Sequence, residues 1–157
     1  MLRVTKLTDY ASVVLTVLAS DPDAVLSASG LAERAGLEAP TVAKLLKPLA
    51  QAGLVDAFRG VNGGYRLARA AAEISLVDIL EAMEGPLGMT ECSVHAGACG
   101  IEQSCGARAN WRRINDVVAD ALRGVSLADM LAAPAAAGPV SRAASGKRTI
   151  PATLATV

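Results

Sequence analysis

A chain of 157 residues, 52% of them apolar, fills one compact core plus an appendage and leaves no room for two large domains. Its formal net charge of zero argues against a uniformly basic coat for nucleic acid, and no apolar run approaches the roughly 20 residues that cross a bilayer. The opening M-L-R-V-T-K-L-T-D-Y lacks the basic start and apolar stretch of a secretory leader, so a cytoplasmic protein is expected.

In chain order, Tyr10, Val13, Val14, Val17 and Leu18 recur at helical spacing and predict a first amphipathic helix over residues 8–19, stopped by D-P-D at 21–23. Ser27 suits the N-cap of a short second helix, A-S-G-L-A-E-R-A, and Gly36 suits its left-handed end. Pro40 fits the first position of a third helix that runs toward Gly53, and Pro48 removes a donor near its last turn, where it can kink the helix. On a wheel of 100° per residue starting at Thr41, Val42, Leu45, Leu46 and Leu49 fall between about 40° and 140°, whereas Lys44, Lys47 and Gln51 fall between about 240° and 300°. A short helix, a turn, and a helix with an apolar back and a basic front make the pattern of a helix-turn-helix reader of DNA.

L-V-D-A-F and Y-R-L alternate like two short strands around R-G-V-N-G-G, whose three glycines permit a tight reversal, and together they predict a wing. Charge is unevenly spread. Residues 38–70 carry Lys44, Lys47, Arg59, Arg66 and Arg69 against Glu38 and Asp56, while residues 71–131 hold four basic and nine acidic side chains. Thr41, Lys44 and Lys47 are therefore candidate readers, and Arg59 and Arg66, at the shoulders of the glycine turn, are candidates for a neighbouring minor groove or its phosphates. The plainer alternative is that all five are ordinary solvated side chains.

Ser75 opens S-L-V-D, a capping-box pattern leading to a fourth helix closed by Gly85-Pro86. Three cysteines follow, spaced C-x6-C-x5-C at Cys92, Cys99 and Cys105 in a stretch rich in glycine. An odd number crowded into one segment does not make a disulfide framework, and adjacent thiolates are poor neighbours unless a cation draws off their charge. A shared soft centre, zinc or iron-sulfur, is the expectation, with free thiols or a redox pair as the plainer one. Short C-x2-C zinc pairs are missing, and a fourth ligand has to come from elsewhere, His95 and Asp9 being open candidates. Trp111, Ile114, Val118, Ala121, Leu122 and Val125 then form an apolar stripe over 107–125 that requires a partner surface, followed by a second capping-box start, S-L-A-D, at 126–129. From 132 onward Ala, Pro, Gly, Ser and Thr prevail without periodicity, so 132–157 reads as a disordered tail. With a single histidine, no phosphate loop and no paired carboxylates, no enzyme is expected.

K-L-T-D-Y-A, R-G-V-N-G-G-Y, T-E-C with C-G-I-E-Q-S-C, and N-W-R-R-I-N together resemble the winged-helix transcriptional regulators of the Rrf-two type, the IscR-like and NsrR-like proteins, over residues 1 to 131. The opening and the last stretch look most similar to the subgroup that controls SUF iron-sulfur assembly genes. The resemblance implies a mainly α fold with a small β wing (α+β), divided into a winged helix-turn-helix at 1–86, a cluster loop at 87–106 and a dimerisation helix with a short following helix at 107–131. It implies a homodimer on double-stranded DNA with a palindromic operator, acting as a repressor and sensing an iron-sulfur cluster, 2Fe-2S ahead of 4Fe-4S, on Cys92, Cys99 and Cys105. IscR-like members place a histidine one turn beyond the third cysteine, where this chain has Arg108. An aspartate from the first helix of the other subunit completes the site in the nitric-oxide sensor, which favours Asp9 over His95. The alternatives are a regulator whose cysteines meet nitric oxide or oxidants directly, and a zinc-stabilised module that never touches DNA.

Overall fold

The computed structural model describes residues 4–95 and 97–132. Its elements run α1 (Lys6–Ala19), α2 (Ala28–Ala35), α3 (Ala39–Gln51), β1 (Val55–Phe58), β2 (Gly64–Leu67), a 3-10 turn (Ala71–Glu73), α4 (Leu76–Glu84), α5 (Glu91–Val94), α6 (Arg108–Arg123) and α7 (Leu127–Leu131). The mainly helical chain with one small antiparallel sheet is the expected winged-helix class. The predicted tail at 132–157 lies outside the described residues from 133 on, and none of the described helices is long and apolar enough to cross a membrane.

Helix boundaries follow from their caps. Ser27 Oγ accepts the Gly30 N–H at 3.1 Å, and Gly36 ends α2 with φ 65°, a conformation that costs a residue without Cβ little. Ser75 and Ser126 each form a reciprocal capping box, with Asp78 and Asp129. The first helix begins two residues before its apolar pattern does, because Thr5 Oγ1 accepts the Thr8 N–H at 3.3 Å. Pro40 occupies the second rather than the first position of α3, where its missing N–H is equally harmless, and the helix continues through Pro48 to Gln51.

The core forms around α1, which packs against α2, α3, α4 and α7. Val14, Leu15, Leu31, Val42, Leu45, Leu49, Ile79 and Leu127 are fully buried, and each contributes roughly 1.5–3 kcal/mol of transfer free energy. The sheet pairs Val55 with Leu67 and Phe58 with Gly64 in antiparallel register. The starts of α4 and α7 lie side by side, because the Leu76 N–H donates to Val125 O and the Leu127 N–H to Ile74 O, both at 2.8 Å. In α6 only Ala119 is buried; Trp111, Ile114 and Val117 remain exposed.

Candidate nucleic-acid interface and cysteine loop

The face separation of α3 is as its wheel requires. Val42, Leu45, Leu46 and Leu49 enter the core, and Lys44, Lys47 and Gln51 are exposed. Thr41 is half-buried in the first turn, the part of a recognition helix that meets base edges. Among the described residues neither Lys44 nor Lys47 forms an ion pair, so their charge is available to a phosphate.

The wing places Arg59 in the open immediately after β1 and Arg66 on β2 opposite Asp56. The Arg66 guanidinium lies 5.1 Å from the centroid of the Phe58 ring, its diagonal neighbour across the strand pair. Stacking of this kind holds the planar fork in one orientation while its N–H groups stay available to an acceptor. Phe58 is thus a contributor that strand alternation alone does not single out; its signal is an aromatic placed diagonally from an arginine beside a glycine turn. Val61, at the tip, is fully exposed.

Two of the wing glycines serve close approach rather than reversal. Leu26 and Tyr65 exchange main-chain hydrogen bonds of 3.0 and 2.8 Å, which ties β2 to the entrance of α2. A Cβ on Gly64 would lie 2.5 Å from Leu26 O, and one on Gly63 the same distance from Phe58 O. Gly60, with φ 118°, supplies the bend.

The expected cysteine loop contains one helical turn, α5, which carries Cys92 with its Sγ 3.3 Å from Thr90 Oγ1. Cys99 and Cys105 flank a tight turn centred on Glu102. All three cysteines are free thiols and half-buried. The loop is tied to α6 at both ends: the Met89 N–H donates to Asn115 Oδ1 at 3.2 Å, and the Arg108 N–H to Cys105 O at 3.3 Å. Glu102 is buried between them and pairs with Arg108 and with Arg112. Arg108, at the position where the family resemblance implies a histidine, is therefore a carboxylate partner, and a guanidinium has no lone pair to give a metal.

As a donor set, three free and partly accessible thiols on one anchored loop suit an iron-sulfur cluster. The described conformation is open. Among the described residues no three His, Cys, Asp or Glu side chains are gathered closely enough to hold a metal ion. His95 is exposed beside Gly88, Glu91 and Ala98. Asp9 is exposed in the first turn of α1 and lines a separate depression with Lys6, Ser12, Leu76 and Met130, which no loop residue shares. That end of α1 is held by Glu84, whose Oε1 accepts the Thr5 N–H at 3.0 Å and the Thr8 hydroxyl at 2.6 Å. The Thr8 hydroxyl foremost, and then the Thr5 N–H, hold the Glu84 carboxyl below its ordinary pKa.

The chain matches the Rrf2 family, described as iron-dependent transcriptional regulators, over residues 4–133. It is 35% identical over 134 residues to protein aau3 of Rhizobium meliloti (strain 1021), covering 84% of this chain and 86% of that protein. Among solved structures it is similar to CymR (YrzC), the global cysteine regulator of B. subtilis, with a TM-score of 0.64 and 28% identity over 83% of this chain and 97% of that one. It is also similar to IscR of T. potens, with a TM-score of 0.60 and 30% identity over 83% of this chain and 86% of that one. With a basic-fronted third helix, a glycine-turned wing and a family match over nearly all its described length, this chain belongs to the Rrf2 family of DNA-binding, generally dimeric transcriptional regulators.

Proposed function

We propose that the chain is a homodimeric cytoplasmic repressor that grips a palindromic operator with Thr41, Lys44 and Lys47 of α3 and Arg59 and Arg66 of the wing. We propose further that its cysteine loop is the sensor. Cys92, Cys99 and Cys105 would hold an iron-sulfur cluster, 2Fe-2S in preference to 4Fe-4S, with Asp9 contributed across the dimer as the fourth ligand, and the regulated genes would be those of SUF iron-sulfur assembly. One observation carries the sensor reading: three free, half-buried thiols share one loop whose two ends are both hydrogen-bonded to α6. The exposed Trp111, Ile114 and Val117 fit α6 as the dimer helix, since an apolar stripe of that length on a soluble chain calls for a partner. When bound, the cluster supplies a centre whose presence depends on iron supply and oxidants.

The chain's own residues do the rest. Ordering of the loop after Gly88 fixes the first turns of α6 through Asn115 and Arg108, and the angle of the paired helices sets the separation of the two α3 helices. Half-sites are spaced by the DNA repeat, so a coupling of about 1–3 kcal/mol changes operator affinity roughly 5- to 150-fold. Anaerobic reconstitution followed by iron, sulfide and absorption assays tests this, with Cys99→Ala expected to lose both colour and iron. Undiminished iron in that variant rejects the ligand role. A second reading has its own support, the open arrangement of the thiols: peroxide or nitric oxide would then act on the cysteines directly, and spectra and operator shifts before and after each oxidant separate the two. Membership of a DNA-binding family sets aside the zinc module that never touches DNA.

A further inference from the structure

Glu102 is the one ionisable side chain that is buried among the described residues, with 7% of its surface exposed. Burying a carboxylate is costly unless it is paired and hydrogen-bonded, so its partners indicate what it holds together. Its Oε1 pairs with the Arg108 guanidinium and lies 3.9 Å from that of Arg112, one turn further along the same face of α6. Its Oε2 accepts the Gly97 N–H. The main chain repeats the connection: the Glu102 N–H donates to Cys99 O at 3.0 Å, and the Arg108 N–H donates to Cys105 O at 3.3 Å. The two members of the ion pair thus each hold the carbonyl of one cysteine. Any change in the separation of Cys99 and Cys105 has to pull on Glu102, on Arg108, or on both.

We propose that Glu102 is a positioning residue that couples the state of the cysteine loop to the dimerisation helix, by locking the Cys99–Cys105 turn onto Arg108 and Arg112. The proposal rests on the reading of the loop as the sensor and adds the route by which the sensor is heard. A carboxylate on two guanidinium groups is directional and charge-assisted, so it transmits a displacement where a flexible glycine turn would absorb it. Of the partners, Arg108 carries most of the coupling, being the nearer and the less exposed of the two arginines. Glutamine in place of Glu102 keeps the shape and loses the charge.

The test uses the full-length dimer with Glu102→Gln, Arg108→Gln and the double variant that combines them, and with Arg108→Lys as the conservative control. Amide exchange is measured by mass spectrometry over residues 97–112, together with the labelling rates of the three thiols. Both glutamine variants are expected to lose at least about tenfold of the protection of this segment and to label Cys99 and Cys105 faster, with Cys92 little changed. Operator affinity is then compared between cluster-loaded and cluster-free protein, and between reduced and peroxide-treated protein. The ratio shown by the wild type is expected to shrink toward one in both glutamine variants, to be partly kept by Arg108→Lys, and to fall no further in the double variant, since the two side chains act as one unit. Wild-type exchange in Glu102→Gln, or an unchanged affinity ratio in both glutamine variants, overturns the coupling role. If the wild type itself shows no dependence of operator affinity on either treatment, the sensor reading fails and the coupling falls with it.

Discussion

Replacing Gly64 with alanine places the smallest possible side chain where the wing meets the helix-turn-helix. The added Cβ would stand 2.5 Å from Leu26 O and 2.7 Å from Leu26 C, whereas ordinary contact begins near 3.4 Å, so β2 and the entrance of α2 must part by about 0.9 Å. That displacement stretches both Leu26–Tyr65 hydrogen bonds, now 3.0 and 2.8 Å, beyond useful length. Two main-chain bonds at about 1 kcal/mol each, with some loss of packing around half-buried Tyr65, give an expected destabilisation of about 2–3 kcal/mol. Urea unfolding of the dimer at fixed concentration measures it. The wing carries Arg59 and Arg66, so operator affinity should drop as well, and should do so under conditions where the variant is fully folded. An unfolding free energy within about 0.5 kcal/mol of wild type, with unchanged operator binding, would refute the view that the wing is fixed by this backbone contact.

Lys44→Ala and Arg59→Ala are each expected to weaken operator binding and to lower the slope of log affinity against log salt by about one, as read by fluorescence anisotropy titrations. Phe58→Ala should cost operator affinity by about 0.5–1 kcal/mol through loss of the Arg66 stack, while the same change made alongside Arg66→Ala should add little. Glu84 has a lowered carboxyl pKa in the folded state, so the stability it contributes is present above its unfolded pKa and is lost as pH falls through the folded one. Acid unfolding followed by circular dichroism should show that limb in the wild type and a flatter one in Glu84→Gln. Val117→Arg, on the exposed face of α6, should shift the chain from dimer toward monomer in sedimentation velocity and weaken operator binding with it.

What was legible in the sequence acts within a turn or so of chain. Ser27, Ser75 and Ser126 announce their helices, Gly36 ends one, and the apolar face of α3 can be drawn on a wheel, because caps and periodicity depend on neighbours three or four residues away. The features that escaped depend on distant partners. Nothing near Glu84 shows that it caps a helix beginning at Lys6, and nothing near Gly64 shows that Leu26 lies against it. Glu102 was visible as an acid in a loop, but its burial requires knowing that Arg108 and Arg112 lie over it. The 3-10 turn at Ala71–Glu73 and the single turn of α5 carry too few residues for any period to register. Of the candidate ligands, the three cysteines follow from their spacing, while the choice of Asp9 over His95 rests on the family resemblance, and Asp9 lies at a depression of its own.

The side-by-side starts of α4 and α7 bear on more than stability. Leu76 and Leu127 fasten the far end of α6 to the body of the chain, while its Arg108 end is held by the cysteine loop, so on the proposed reading the helix would act as a lever hinged near Val125. Its 16 residues span about 24 Å, so a rotation of only about 5° at the hinge carries the cysteine end through roughly 2 Å. On the proposed sensor reading, a sub-ångström adjustment beside the thiols would be returned as a small angle at the protein body, doubled by the two-fold symmetry of the dimer before a double helix measures it.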